Sequence, residues 1–218
     1  MLKANGVLPW RYPGWLTRIL LPGAIFRADP SGDRIYLTYD DGPNPEVTPA
    51  LLDILEQFEA RATFFVLTSK QAWWGSLLRE IAGRGHQIAL HGAEHRSGYC
   101  RPNSKLEGEL RDSLGQIQEV GVEAARAYRP PFGHIRPDTV QFLKSRGFQT
   151  VLWSKIPGDF RRQDADRLFA RAVHRLRPGD ILVLHDGTNL RPPPVLELTR
   201  RLLEEFRRRG WHSAPLDF

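Results

Sequence analysis

The pattern that sets the architecture begins in residues 35–43, IYLTYDDGP. Its first five residues have the β-branched and aliphatic character of a buried strand, and two aspartates follow at once. The same arrangement recurs where short apolar runs precede His91 and His185. Each ionisable side chain therefore lies at the C-terminal end of a predicted strand, which is where parallel α/β folds carry their chemistry.

Helical stretches separate these apolar runs, so strand and helix alternate along the chain. This alternation favours an α/β fold with a parallel sheet or barrel and right-handed crossovers. Thr48 and Pro49 are predicted as the N-cap and first residue of one such helix. Seven strands are predicted, near residues 35–39, 62–67, 87–90, the segment just before Arg129, 149–153, 181–184 and 211–215.

Composition predicts a single globular domain. The chain has 218 residues, of which 41% are hydrophobic and 26% charged, and this is enough for one substantial core. The only cysteine, Cys100, cannot form an internal disulfide, so nothing requires an oxidising compartment. The net charge of +6 permits an anionic partner, but the arginine runs are typical of solvated helix faces, and we predict no nucleic-acid binding.

The N-terminal residues 1–33 are predicted to form a strap packed over one end of a catalytic domain at residues 34–218. The apolar stretch from Leu16 to Phe26 is interrupted and too short to span a bilayer, and it lacks the pattern of a secretory signal. We therefore expect a cytoplasmic location and no obligate protein partner. Trp10, Tyr12 and Trp15 permit peripheral membrane contact, because aromatic rings favour the membrane interface.

The ionisable residues suggest a metal site. Asp40 and Asp41 could form an ordinary turn, but adjacent carboxylates after a buried strand are costly unless a cation compensates them. His91 and His95 are four residues apart, a spacing that places two imidazoles together on one helical turn, although each could instead be a hydrogen-bonded structural residue. One carboxylate and two imidazoles leave a coordination position open for water and substrate. Zinc suits this set best, with cobalt, nickel or iron as alternatives.

Five segments in order resemble the motifs of the polysaccharide deacetylases, metal-dependent carbohydrate esterases that remove acetyl groups from chitin, peptidoglycan or xylan. The resemblance runs from about Arg34 to His185 and implies a distorted (β/α)7 barrel, similar to a TIM barrel. The matching segments are LTYDDGP at residues 37–43, His91-x-x-x-His95, RPPFG at residues 129–133, Trp153 to Phe160, and LVLHD at residues 182–186.

The resemblance also implies a role for each motif residue and a carbohydrate substrate that bears N-acyl groups. The expected roles are Asp40 as general base, Arg129 as the group that orients it, Asp41, His91 and His95 as metal ligands, His185 as general acid, Asp159 as the carboxylate that keeps His185 protonated, and the Phe132 backbone N–H as an oxyanion donor.

Four positions depart from the family pattern. Gly92 replaces a serine or threonine, Phe132 a tyrosine and Phe160 a tryptophan, while Ile156 replaces an aspartate that pairs with the motif arginine. Arg129 is therefore expected to be held differently here. The predicted function is N-deacetylation of a sugar or glycan. Alternatives are a deformylase or O-acetyl esterase acting on a lipid-linked or intracellular sugar, and a non-catalytic carbohydrate-binding relative.

Overall fold

The computed structural model describes residues 19–68, 71–187, 189 and 193–218. Trp10, Tyr12 and Trp15, on which the predicted membrane contact rests, lie outside these residues. Within the described part of the chain, no helix combines the length and apolar character needed to cross a bilayer.

Strands and helices alternate as the sequence predicts. The strands are β1 (Ala24–Ile25), β2 (Arg34–Asp40), β3 (Thr63–Leu67), β4 (Gln87–Gly92), β5 (Ala127–Tyr128), β6 (Gln149–Val151), β7 (Ile181–His185) and β8 (His212–Ser213). The helices are α1 (Thr48–Gln57), α2 (Trp74–Gly83), α3 (Asn103–Glu119), α4 (Pro137–Ser145), α5 (Ala165–Val173) and α6 (Pro194–Arg209), with a 3-10 turn at Pro131–Gly133.

The sheet is parallel and curls into a distorted barrel, which confirms the predicted fold class. Its strand order is β1-β6-β5-β4-β3-β2-β7, and every pair along this path is parallel. The chain beyond β6 closes the barrel, because the Ser154 and Lys155 N–H groups donate to the Ile181 carbonyl of β7.

The identity of the seventh strand was predicted wrongly. The C-terminal segment forms only the two-residue β8, which pairs with the start of β2 and lies off the main path. The seventh member of the path is instead β1, from the predicted N-terminal strap, which pairs with β6 through Ala24 and Ile25. A two-residue strand has too little periodicity to be recognised in a sequence.

Side chains alternate between the two faces of each strand, and they therefore form two separate apolar cores. Side chains that face the helices, such as Leu37 and Tyr39 of β2, belong to the larger core. The barrel interior holds a smaller cluster, which includes Tyr36, Phe65 and Ala89. Because successive strand residues point to opposite faces, the residues two and four positions after an interior side chain also point inward.

An ion pair ties the start of the sheet to β7. Arg27, just after β1, contacts the fully buried carboxylate of Asp180 at 2.6 Å. The Asp180 carboxylate also accepts hydrogen bonds from the Ser154 hydroxyl at 2.6 Å and the Arg177 N–H at 2.9 Å. Asp180 therefore joins three segments that meet where the barrel closes.

Replacing Asp180 with alanine should lower the free energy of unfolding by about 3–5 kcal/mol, because removal of one member of a buried pair leaves an uncompensated cation and unpaired donors. Asp53→Ala is the matched control, since Asp53 is 60% exposed in its ion pair with Arg84. That variant should lose no more than about 1 kcal/mol. Urea denaturation measures both, and equal losses would contradict the assignment.

Candidate active site

All eight predicted site residues converge at the C-terminal end of the barrel. A cavity of about 280 Å³ is lined by Asp40, Asp41, His91, His95, Phe132 and His185. Arg129 and Asp159 lie behind it and contact Asp40 and His185. A larger groove of about 1030 Å³ between α1, α5 and α6 contains none of these eight residues.

Strand parity explains this convergence. Asp40 lies four residues after Tyr36, and Tyr36 belongs to the interior cluster. Arg129 likewise lies two residues after interior Ala127, and His185 four residues after interior Ile181. Each therefore points into the barrel mouth, where parallel strands end together.

Asp41, His91 and His95 form a cluster with the composition of a metal site. The Oδ1 atom of Asp41 is 3.2 Å from Nε2 of His91 and 3.2 Å from Nε2 of His95. One ligand atom from each residue lies within 4.8 Å of the others. Asp41 has a positive φ of 72°, a conformation uncommon outside glycine, which turns this carboxylate away from the direction of the strand.

The donor set fits a cation. Nδ1 of His91 donates to the Arg129 carbonyl at 2.8 Å, which leaves the Nε2 lone pair facing Asp41. The Asp41 Oδ1 atom is buried and has no hydrogen-bond donor among the described residues. Two acceptors therefore face each other, an arrangement that a metal ion would satisfy.

The ionisation states favour metal binding. Burial opposes ionisation of Asp41, but His91 at 3.2 Å and the electrostatic influence of His185 and His95 outweigh it and lower the pKa of Asp41 to about 2. Burial lowers the pKa of His95, which favours the neutral imidazole. Metal ligation requires an ionised carboxylate and neutral imidazoles.

The two histidines do not share a helical turn, contrary to the sequence prediction. β4 ends at Gly92, a bend follows at Ala93 and Glu94, and His95 lies after the bend in irregular structure. Gly92 has a φ of 109°, and a Cβ there would lie 3.2 Å from the Glu109 carboxylate, so a serine or threonine would be strained. Glu109 instead holds this loop by accepting the Ala93 N–H at 2.9 Å.

Asp40 is paired with a fully buried guanidinium. Arg129 Nη1 is 2.7 Å from Asp40 Oδ1 and also donates to the Thr38 hydroxyl at 2.7 Å. Nη2 donates to the Leu152 carbonyl at 3.2 Å. The guanidinium carbon lies 3.9 Å from the centre of the Phe65 ring.

These contacts answer the question raised by Ile156. Ile156 lines the cavity, and Arg129 is held instead by the Thr38 hydroxyl, a carbonyl and the Phe65 ring. The Nε atom of Arg129 has no partner in the described part of the chain. Asp40 is therefore the carboxylate that directly compensates the Arg129 charge.

His185 is held by Asp159. Nδ1 of His185 donates to Asp159 Oδ1 at 3.0 Å, and the His185 backbone N–H donates to Asp159 Oδ2 at 2.8 Å. Burial disfavours the imidazolium, but Asp159, with smaller contributions from Asp40 and Asp41, raises the pKa of His185 to about 9. His185 is therefore protonated at neutral pH, with Nε2 as its remaining donor.

Asp186 supports the loop that carries the two aspartates, a role that the sequence analysis missed. Its buried carboxylate accepts the Thr48 hydroxyl at 2.6 Å, and burial raises the pKa of Asp186 to about 7. Thr48 is the first residue of α1, and Val47 rather than Thr48 is the N-cap, contrary to the prediction. The Thr48 hydroxyl also accepts the Asn44 N–H at 2.8 Å. A Cβ on Gly42 would lie 2.2 Å from this carboxylate, so only glycine fits there.

Thr38, Phe65 and Glu109 were also missed as supporting residues. Phe65 and Thr38 read as ordinary members of buried strands, and Glu109 as part of a helix. The inward parity of Thr38 was a usable signal, because it lies two residues before Asp40. Nothing local to Glu109 indicates that it reaches the His91 loop.

Comparison with known proteins gives a consistent result. The family model described as polysaccharide deacetylase matches residues 27–151. The chain is 33% identical over 190 residues to a peptidoglycan-N-acetylglucosamine deacetylase of Bacillus cereus, and the match covers 86% of this chain and 88% of that protein. It is 36% identical over 204 residues to a chitooligosaccharide deacetylase of Bradyrhizobium sp., and this match covers 86% of this chain and 91% of that protein.

A solved structure supports the fold. A crystal structure of a peptidoglycan N-acetylglucosamine deacetylase in complex with 4-naphthalen-1-yl-N-oxidanyl-benzamide superposes with a TM-score of 0.85 at 21% identity. The match covers 94% of this chain and 95% of that one. At this identity the comparison establishes the shared barrel.

Zinc affinity tests the triad. Asp41→Ala and His95→Ala should each weaken zinc binding by more than about 100-fold, because either change removes a direct ligand. Glu94→Ala is the control, since Glu94 lies between the histidines in sequence but is exposed and paired with Arg96. Competition with a chromogenic chelator measures all three variants. Zinc binding by Asp41→Ala that equals that of the unmodified protein would refute the site.

Proposed function

The chain belongs to the polysaccharide deacetylase family, and from that membership we propose that it is a metal-dependent hydrolase that removes the N-acetyl group from an N-acetylated sugar or glycan. The products are acetate and a free amine. The observation that carries this proposal is that Asp40, paired with a guanidinium, and His185, paired with a carboxylate, lie at one cavity with the Asp41, His91 and His95 cluster.

The surroundings of Asp40 suit a group that accepts a proton, and those of His185 suit a group that donates one. The Arg129 guanidinium, 2.7 Å from Asp40, fixes the orientation of the carboxylate that would act as general base. The Asp159 carboxylate, 3.0 Å from His185, favours the imidazolium that a general acid requires. A carboxylate paired with a cation beside an imidazole paired with a carboxylate is typical of paired base and acid catalysts.

The proposed reaction assigns one task to each residue. Asp40 accepts a proton as water attacks the acyl carbon, and the Phe132 backbone N–H stabilises the oxyanion. As the carbon–nitrogen bond breaks, His185 Nε2 gives a proton to the departing amine. Asp41, His91 and His95 would hold a divalent metal, which we propose to be zinc, and this metal would supply Lewis-acid polarisation of the carbonyl and acidify water.

The walls of the cavity suit a small acyl group. Trp153, Ile156, Phe160 and Val183 line it alongside the polar residues, so the acyl methyl group has an apolar surface to contact. The two curated relatives described above are named for N-acetylglucosamine and chitooligosaccharide substrates, which supports an N-acetylated glucosamine glycan here. The cytoplasmic location remains a prediction from the sequence.

The Asp40→Asn variant should reduce amine release from N-acetylglucosamine oligomers by about 10²–10⁴-fold, because the amide cannot accept the proton from water. Bound zinc should stay at the level of the unmodified protein, since the triad is intact. Fluorescent amine labelling and metal analysis measure the two quantities.

Asp53→Asn is the matched control for this variant, because it makes the same change at an exposed ion pair. It should retain full turnover. Equal turnover by Asp40→Asn and the unmodified protein would remove Asp40 from the mechanism.

The Asp159→Asn variant should move the alkaline limb of the pH profile. The general acid is lost as pH rises through the pKa of His185, which is about 9. An amide at position 159 removes the charge that raises this pKa, so the limb should shift to lower pH by about one unit or more. Asp166→Asn, at a position 85% exposed, should leave the profile unchanged. An unmoved limb in Asp159→Asn would disprove the coupling.

Substrate comparison separates the proposal from its alternatives. Matched N-formyl, N-acetyl and O-acetyl glucosamine oligomers, supplied to the zinc-loaded protein, should give the fastest release from the N-acetyl form. Faster release of formate or of ester acetate would assign a different acyl group. Glycan binding without any release would favour a non-catalytic carbohydrate-binding protein.

A further inference from the structure

A chain of aromatic ring contacts leads away from the metal-binding cluster. The His95 ring lies 4.2 Å from the Phe132 ring, measured between centroids, and Phe132 lies 5.4 Å from the His134 ring. His134 in turn stacks on Tyr99 at 4.6 Å with an interplanar angle of 21°. We call these four residues the aromatic row.

The row begins at the catalytic cavity and extends beyond it. His95 and Phe132 line the cavity, whereas His134 and Tyr99 do not. Phe132 is 50% exposed, and His134 and Tyr99 are half-buried. The row therefore offers an accessible aromatic surface that is continuous with the site of reaction.

The outer rings are held in place by two clamped loops. The Ser97 hydroxyl and His134 Nδ1 are 3.1 Å apart, and Arg136 donates to the Tyr99 carbonyl at 2.9 Å and the Arg101 carbonyl at 3.0 Å. Gly98 packs so closely that a Cβ would lie 2.4 Å from the His134 carbonyl oxygen. A surface that is fixed before binding loses little conformational entropy when a ligand arrives.

The geometry points to a glycan subsite: we propose that Tyr99 and His134 bind a pyranose ring next to the sugar whose N-acetyl group is removed. A pyranose has an apolar face of C–H groups, and an aromatic side chain offers a large rigid apolar surface at low entropic cost. This inference rests on the proposed function. A subsite of this kind would make the enzyme selective for oligomers.

Dependence on chain length tests the subsite. Tyr99→Ala and His134→Ala should each lower kcat/KM for the tetramer of N-acetylglucosamine about tenfold relative to the dimer, mainly through a higher KM. Tyr99→Phe, which retains the ring, should preserve most of the preference for the tetramer. Phe218→Ala, which removes an aromatic side chain that is 45% exposed at the chain terminus, is the matched control and should leave the ratio unchanged. A ratio unaffected by loss of either ring would overturn the proposal.

Direct binding separates this inference from the proposed function. Each variant is combined with Asp40→Asn, so that the tetramer is not consumed during the titration. Calorimetric titration of these zinc-loaded proteins with the same tetramer should give a Kd about tenfold weaker when Tyr99→Ala or His134→Ala is added to Asp40→Asn than for Asp40→Asn alone. Weaker binding, with no acetate released by the protein that retains Asp40, would support the subsite while refuting the deacetylase. Equal binding, with acetate released by the protein that retains Asp40, would refute the subsite alone. If Tyr99→Ala does not fold, His134→Ala and Tyr99→Phe still decide between these outcomes.

Discussion

The buried ion pair between Arg129 and Asp40 is the interaction on which the rest of the site depends. A guanidinium inside a barrel is costly unless it is paired and hydrogen-bonded. Here Asp40, Thr38, a backbone carbonyl and the Phe65 ring share that task. Because these groups and Arg129 itself come from four different strands or their extensions, the barrel must close correctly before the charge is compensated.

The same barrel mouth keeps three charge environments separate. Asp40 lies beside a cation, His185 beside a carboxylate, and Asp41 between two imidazoles. Hydrogen bonds fix the orientation of two imidazoles. The His91 ring donates to the Arg129 carbonyl, and His185 donates to both oxygens of Asp159 through its ring and its backbone N–H. Arg129 thus supports Asp40 through its side chain and the Asp41, His91 and His95 cluster through its backbone.

The departures from the family pattern are accommodated by other contacts. Glu109 holds the loop after Gly92, and Phe65 with Thr38 holds Arg129 where Ile156 offers no charge. These replacements keep Asp40 and His185 in place at the cavity, which argues against a protein that has lost its chemistry. The apolar side chain of Ile156 is available to the cavity instead.

The sequence by itself determined a parallel α/β fold with Asp40, Asp41, His91, His95 and His185 at one end, because apolar runs followed by ionisable residues are local patterns. The resemblance to the polysaccharide deacetylases added the barrel closure and the site residues Arg129, Phe132 and Asp159. Tertiary structure alone decided which groups support them. Asp186 reaches Thr48, Glu109 reaches the His91 loop, and β1 rather than β8 completes the strand path. Tyr99 and His134, 35 residues apart, likewise stack only once two loops meet. Such contacts join distant segments, and no periodicity in either segment encodes the partner.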